Sequence, residues 1–109
     1  MKIAYANSDI EAVCRYAKQA ARRFGPESAK KLQRRLAELH AAHVVGELVA
    51  GRPHPLIHDR DGQFALDLHG GDRLIFKPTT EPPPRKPDGS IAWVQVTEVT
   101  IIEIGDYHD

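Results

Sequence analysis

The sequence predicts an α+β fold in which a helical hairpin packs on one face of a mostly antiparallel sheet of four to five strands. Two changes along the 109 residues support this prediction. Up to about residue 50, apolar side chains recur every three to four positions, as on one face of a helix. From Pro53 onward they alternate with a period of two, as on a strand. The length suits one core, so residues 1–109 are predicted to form a single domain.

Residues 2–6 are short and β-permissive, and they predict an edge strand. Ser8 and Glu11 have the spacing of a capping box, which predicts a helix that begins at Ser8. Its apolar stripe ends at Phe24, and the Gly-Pro pair at 25–26 is typical of a helix end followed by the first turn of another. The stripe consists of Ile10, Val13, Cys14, Ala17, Ala20, Ala21 and Phe24.

A second helix is predicted from about Pro26 to His43, followed by a short helical turn within residues 44–50. Because the link between the two helices is so short, they are expected to form an antiparallel hairpin. The apolar seam of the second helix is Ala29, Leu32, Leu36 and Leu39. Its basic residues are expected on the outside, as a solvated face or a contact for RNA: Lys30, Lys31, Arg34 and Arg35.

Residues 64–68 alternate between apolar and mostly polar side chains, which predicts a strand with one buried face. Turn dipeptides flank this strand at 61–62 and 70–71. Residues 73–77 then predict the return strand of a hairpin. Together these features indicate an antiparallel pair in the second half of the chain.

The segment 78–91 contains three consecutive prolines and predicts a long exposed loop, since proline cannot join a ladder of backbone hydrogen bonds. Trp93, which follows, is expected to be a packing anchor. Residues 96–104 are rich in β-branched residues and apolar on both faces, which predicts a strand in the centre of the sheet.

Charge is unevenly distributed although the chain is neutral, with 15 basic and 15 acidic residues. Most of the basic residues lie in the helical half, so only that half has the footprint typical of nucleic-acid binding. No signal peptide or membrane-spanning run is evident. The single Cys14 excludes an internal disulfide. These features favour a cytoplasmic protein.

Three segments carry side chains suited to chemistry: HPLIHDRDGQFALDL from residue 54, GDRLIF from residue 71, and DYH from residue 106. In this order and after a helical hairpin, they resemble the HigB branch of the RelE/ParE superfamily of toxins, also called plasmid-maintenance killer proteins. The resemblance extends over nearly the whole chain in the order of its elements, and it implies a RelE-like fold.

The resemblance also implies a function. The protein would be the toxin of a type II toxin–antitoxin system, neutralised by a HigA-like helix-turn-helix antitoxin. It would cleave mRNA on the ribosome as an endoribonuclease with no metal or other cofactor and no membrane partner. In such chemistry the 2′-hydroxyl attacks the adjacent phosphate, helped by a base, a cation and an acid. Histidine suits either proton transfer because its reference pKa, ~6.5, is near neutrality.

Position by position, the resemblance implies roles for five residues. His54 would be an acid or a base, and Arg73 would bind the scissile phosphate. Asp106 and His108 would form a proton-transfer or orienting pair. Tyr107 would stack on a base or donate a hydrogen bond, unless it caps the core. Further candidates for substrate binding are His58, Arg60, Arg34 and Arg35.

Some of these residues also have purely structural interpretations. Arg73 could form a salt bridge with Asp72 or Asp67. His40 and His43 share one helix face, but no third ligand is evident, so no metal site is predicted.

Two other functions remain open. The first is a non-catalytic binding protein of the same fold, either a ParE-like inhibitor of DNA gyrase or a decayed toxin that only binds its antitoxin. The zero net charge favours it, as does Ile57, since relatives often carry lysine at that position. The second is an antitoxin, which is disfavoured because the sequence shows neither a helix-turn-helix nor a disordered wrapping segment.

Overall fold

A computed structural model describes residues 1–106. The helices and strands in this range are β1 (Lys2–Tyr5), α1 (Ser8–Arg15), α2 (Ala17–Phe24), α3 (Pro26–Ala41), β2 (His54–Pro55), β3 (Phe64–Asp67), β4 (Asp72–Pro78) and β5 (Glu98–Asp106). Short 3-10 turns occur at Val45–Glu47, His58–Arg60 and Trp93–Gln95. The predicted α+β class is therefore confirmed. Among these elements no helix is long and apolar enough to cross a membrane.

The sheet has the strand order β1-β5-β4-β3-β2. β1 runs parallel to β5, and all other neighbours are antiparallel. The predicted edge position of β1, the interior position of β5 and the β3–β4 hairpin are all observed. The two-residue strand β2 was not predicted, because a pair of residues that includes a proline has no recognisable periodicity.

The helices cover one face of the sheet. Leu32 and Leu39 of α3 lie in one buried cluster with Leu74 and Phe76 of β4, and all four side chains are completely shielded from solvent. The ring of Trp93 packs on Phe64, with 4.7 Å between centroids, which confirms its predicted anchoring role. Burial of these side chains drives the association of the two layers.

The first helix differs from its prediction in two respects. Asn7, not Ser8, is the N-cap: its side-chain oxygen accepts a hydrogen bond from the Ile10 amide at 2.9 Å. Asparagine caps helices as well as serine does, so the capping residue differs from the prediction while the helix begins at Ser8 as predicted. The helix is also interrupted at Tyr16, which has an extended backbone. The interruption lets α1 pack on β5 while α2 packs on α3.

The second helix ends at Ala41, two residues earlier than predicted. The prediction that Arg35 lies on its outside is wrong, because only 9% of this residue is exposed. Its side chain lies against the backbone of Gly51, in the segment that leads to β2. Helix α3 therefore has two contact faces, one toward the core and one toward this segment. The apolar pattern marks only the first face.

The proline-rich segment forms a largely exposed loop, as predicted. An antiparallel β-bridge between Arg85 and Ile91 closes the C-terminal part of this loop, and Ile91 is buried. The flanking strands differ slightly from their predicted ranges, since β4 includes Pro78 and β5 extends to Asp106.

Candidate functional site

The face of the sheet opposite the helices, called the open face below, carries two of the predicted site residues. His54 of β2 is the register partner of Ala65 in β3, and Arg73 of β4 is the partner of Asp67 in β3. Side chains of register partners lie on the same face of a sheet. Residues 65 and 67 alternate with the core residues of β3, so His54, Asp67 and Arg73 all lie on the open face.

The Asp67 carboxylate joins two arginines. Its Oδ2 atom accepts a hydrogen bond from Nε of Arg52 at 2.8 Å, and its Oδ1 atom accepts one from Nε of Arg73 at 3.2 Å. The side chains of Asp67 and Arg73 are 30% and 28% exposed, whereas that of Arg52 is 64% exposed. With His54, these three residues are called the His54 cluster below.

The backbone of Arg52 orients His54. Arg52 has φ +50°, in the left-handed region that non-glycine residues seldom adopt. Its carbonyl oxygen lies 2.7 Å from Nδ1 of His54. Because a carbonyl oxygen can only accept, Nδ1 carries the proton in this contact. In the neutral ring, Nε2 then keeps its lone pair and is available as a base.

The electrostatics of the cluster keep Asp67 ionised. Partial burial alone would raise the pKa of its carboxyl group. The hydrogen bond and charge of Arg52, with the charges of Arg73 and His54, outweigh that effect and hold the pKa of Asp67 below its usual value. The same hydrogen bond raises the pKa of Arg52. The cluster therefore presents two guanidinium groups with a carboxylate between them at neutral pH.

Leu56, Ala65 and Ile75 form a small buried apolar cluster beside the His54 cluster on the open face. Arg60, in the turn after β2, contacts two side chains near these residues. It donates to Oε1 of Gln63 at 2.9 Å and to Oε1 of Glu103 at 2.7 Å. Since Glu103 belongs to β5, Arg60 ties the turn at residues 58–60 across the sheet.

The remaining predicted site residues are dispersed. His58 is exposed and has φ +58°. Arg34 is exposed on α3, which packs on the opposite face of the sheet from His54. The buried Arg35 pairs with Glu38 of the same helix. A direct contact of Arg34 or Arg35 with a substrate on the open face is therefore not favoured by their positions.

Strand β5 ends at Asp106, the last residue that the structure describes. Asp106 is the register partner of Asp72, and a Cβ at Gly71 would lie 2.9 Å from its Oδ1 atom. The carboxylate of Asp72 in turn accepts a hydrogen bond from Ser28 of α3 at 2.6 Å. Asp106 therefore lies at the hairpin end of the sheet in register with Asp72, on the side that faces α3, and this register does not bring it to the His54 cluster. Tyr107 and His108 lie outside the described residues.

Two residues of the cluster were missed as functional candidates. From the sequence, Asp67 is predicted only as a possible salt-bridge partner of Arg73, and that bridge is confirmed at 3.2 Å. Arg52 is not among the residues that the sequence predicts for the site. The Gly-Arg-Pro sequence at 51–53 is a turn signal that could have placed an arginine beside His54. Within residues 1–106, no group of three or more His, Cys, Asp or Glu side chains is placed to hold a metal ion.

The architecture, with three helices on one face of a five-stranded sheet, matches that of YoeB/ParE-type toxin folds. A YoeB/ParE toxin from Agrobacterium tumefaciens superposes with a TM-score of 0.62 at 12% identity, over 99% of this chain and 100% of that one. The YoeB dimer from Staphylococcus aureus gives 0.58 at 14% identity, over 100% and 98%. The sequence matches no protein-family model and no curated protein. At these identities the likeness establishes the fold.

Proposed function

We propose that the protein is the toxin of a type II toxin–antitoxin system, and that it is a HigB-like, ribosome-dependent mRNA endonuclease. The main support is the His54 cluster, which combines a histidine of defined tautomer with two arginines on one face of the sheet. The fold shared with YoeB/ParE-type toxins is consistent with this function.

In the proposed reaction, Nε2 of His54 removes the proton of the 2′-hydroxyl. The 2′-oxygen attacks the neighbouring phosphorus, the bond from phosphorus to the 5′-oxygen breaks, and a 2′,3′-cyclic phosphate remains. The hydrogen bond from Nδ1 to the Arg52 carbonyl supports this role because it leaves Nε2 as the accepting nitrogen. A base positioned in this way typically accelerates such a step by about 10²–10⁴.

The guanidinium of Arg73 would stabilise the charge that develops on the phosphorane. Guanidinium groups suit this task because their fixed donors match phosphate oxygens. The departing 5′-oxygen also needs a proton, and His108 is our candidate donor. Asp106, which shares a register position with the helix-facing Asp72, would orient His108 and would not contact the RNA itself. Tyr107 would contact a base, and His58 and Arg60 would contact the backbone of the mRNA.

The partners and the location of the protein are proposed from the resemblance to the HigB branch. We expect a HigA-like helix-turn-helix antitoxin and the ribosome as partners, and the cytoplasm as the location. Residues 1–109 are predicted to form a single domain.

The test is cleavage of a defined mRNA in a reconstituted translation system, with the new ends mapped by primer extension. His54→Ala should lose at least about 10²-fold in cleavage rate, as expected for removal of a base. His43→Ala is the matched control, since this histidine is 90% exposed on the helical side. Equal cleavage by both variants would refute the role of His54. Cleavage that does not need ribosomes would refute the ribosome-dependent part of the proposal.

A second candidate function is inhibition of DNA gyrase, or antitoxin binding alone, without catalysis. The observation that favours it is the Asp67 carboxylate, which already neutralises part of the positive charge that RNA cleavage would use. Intact mRNA combined with inhibition of gyrase supercoiling would select the ParE-like function. Intact mRNA and unaffected gyrase, with tight antitoxin binding, would indicate a decayed toxin.

A further inference from the structure

The position of the Asp67 carboxylate is the feature that the proposed reaction does not use. It lies between Arg52 and Arg73, and each of its two oxygens accepts a hydrogen bond from a different guanidinium group. A second nitrogen of Arg52 lies 3.5 Å from Oδ1. An anion with two oxygens is thus held by cations from two separate segments of the chain.

A phosphodiester presents the same chemistry to these arginines. Like a carboxylate, it offers two oxygens that share one negative charge, and both groups are preferred partners of guanidinium forks. The site is also accessible, because the Arg52 side chain is 64% exposed. A phosphate of single-stranded RNA could therefore take the place of the carboxylate on Arg52 with little rearrangement.

The backbone of Arg52 is held in place beside His54, where its side chain could exchange the Asp67 carboxylate for a phosphate. Its left-handed backbone conformation, φ +50°, is an uncommon one for an arginine. The preceding residue, Gly51, is fixed because its carbonyl accepts a hydrogen bond from the Asp67 amide at 2.7 Å. The side chain can therefore exchange partners while its backbone stays beside His54.

We propose that Arg52 is a second ligand, beside Arg73, for an RNA phosphate, and that the Asp67 carboxylate is an internal competitor that occupies these arginines in the free protein. This inference rests on the proposed action on RNA and adds to it a carboxylate that lowers the affinity of the arginines for RNA. Binding of the substrate exchanges the carboxylate of Asp67 for a phosphate.

The inference is tested with Asp67→Asn, which keeps the shape of the side chain and removes its charge. The probe is a fluorescent 2′-O-methyl oligoribonucleotide, which has no 2′-hydroxyl and cannot be cleaved, so the assay does not depend on nuclease activity. We expect roughly fivefold tighter binding, the size of one partly exposed ion pair. The slope of log affinity against log salt should steepen by about 0.7 for each arginine released.

Two further variants separate competition from a general charge effect. Asp59→Asn makes the same change in net charge at an exposed position, and it should leave affinity within about twofold. Adding Arg52→Ala to Asp67→Asn should abolish the gain. Circular dichroism and thermal unfolding establish that each variant is folded.

The outcomes are distinct. Tighter binding by Asp67→Asn that depends on Arg52 supports the inference. Weaker or unchanged binding overturns it, because a carboxylate that only positions the arginines would help RNA binding. A gain that persists without Arg52, or that Asp59→Asn reproduces, also overturns it. If wild type fails to cleave mRNA while Asp67→Asn still gains affinity through Arg52, the proposed catalysis fails and the phosphate site stands.

Discussion

Gly51→Ala should destabilise the protein more than an alanine at an otherwise similar glycine. Gly51 has φ +82°, and a Cβ there would lie 2.8 Å from Nε and 3.0 Å from Cδ of Arg35. These atoms belong to the middle of a side chain that is only 10% exposed. Arg35 therefore cannot avoid the methyl group by moving into solvent.

The expected loss in the free energy of unfolding of Gly51→Ala has two parts. A left-handed backbone costs an alanine about 1 kcal/mol. Overpacking at a buried site adds about 1–3 kcal/mol. Gly70→Ala isolates the first part, because Gly70 has φ +60° and a Cβ there would have no neighbour within 4 Å. We thus expect a loss of about 2–4 kcal/mol for Gly51→Ala and about 1 kcal/mol for Gly70→Ala.

The assay is urea unfolding followed by the fluorescence of the single tryptophan, Trp93, which packs on Phe64. Arg35→Ala removes the obstructing side chain, so in that background Gly51→Ala should cost no more than Gly70→Ala. The coupling between positions 35 and 51 should accordingly be about 1–3 kcal/mol. Equal losses for both glycine variants, or no coupling to Arg35, would refute the packing of Arg35 on Gly51.

Two further predictions concern ionisable groups. Burial raises the pKa of the Cys14 thiol to about 12, so the thiol is protonated at neutral pH. A disulfide reagent should therefore modify Cys14 far more slowly in the native state than in guanidinium. Similar rates in both states would contradict its burial. The pKa of Asp67 is lower in the folded state than the unfolded value of about 3.9, so its ionised form stabilises the fold. The advantage of wild type over Asp67→Asn in urea unfolding should be fully present above that unfolded value, and should be lost as the pH falls through the folded-state pKa. A difference that stays constant down to the acid limit would argue against the ion pairs of Asp67.

Only part of the His54 cluster could be predicted from the sequence. His54 and Arg73 were recognisable because each lies in a segment that resembles the HigB branch. Their partner Asp67 was visible only as a salt-bridge candidate opposite Arg73. The only signal at Arg52 was the turn predicted by its Gly-Arg-Pro sequence, and an arginine in such a turn is usually a solvated surface residue.

The sequence by itself determined the helical hairpin, the β3–β4 hairpin and the α+β class. These depend on the spacing of apolar residues and on turn residues that act within a few positions of the chain. The register of β2, the burial of Arg35 against Gly51 and the meeting of Arg52 with Asp67 were decided only by the tertiary structure. The physical reason is that such contacts join distant segments, and a shift of one residue in strand register would move Asp67 to the other face of the sheet.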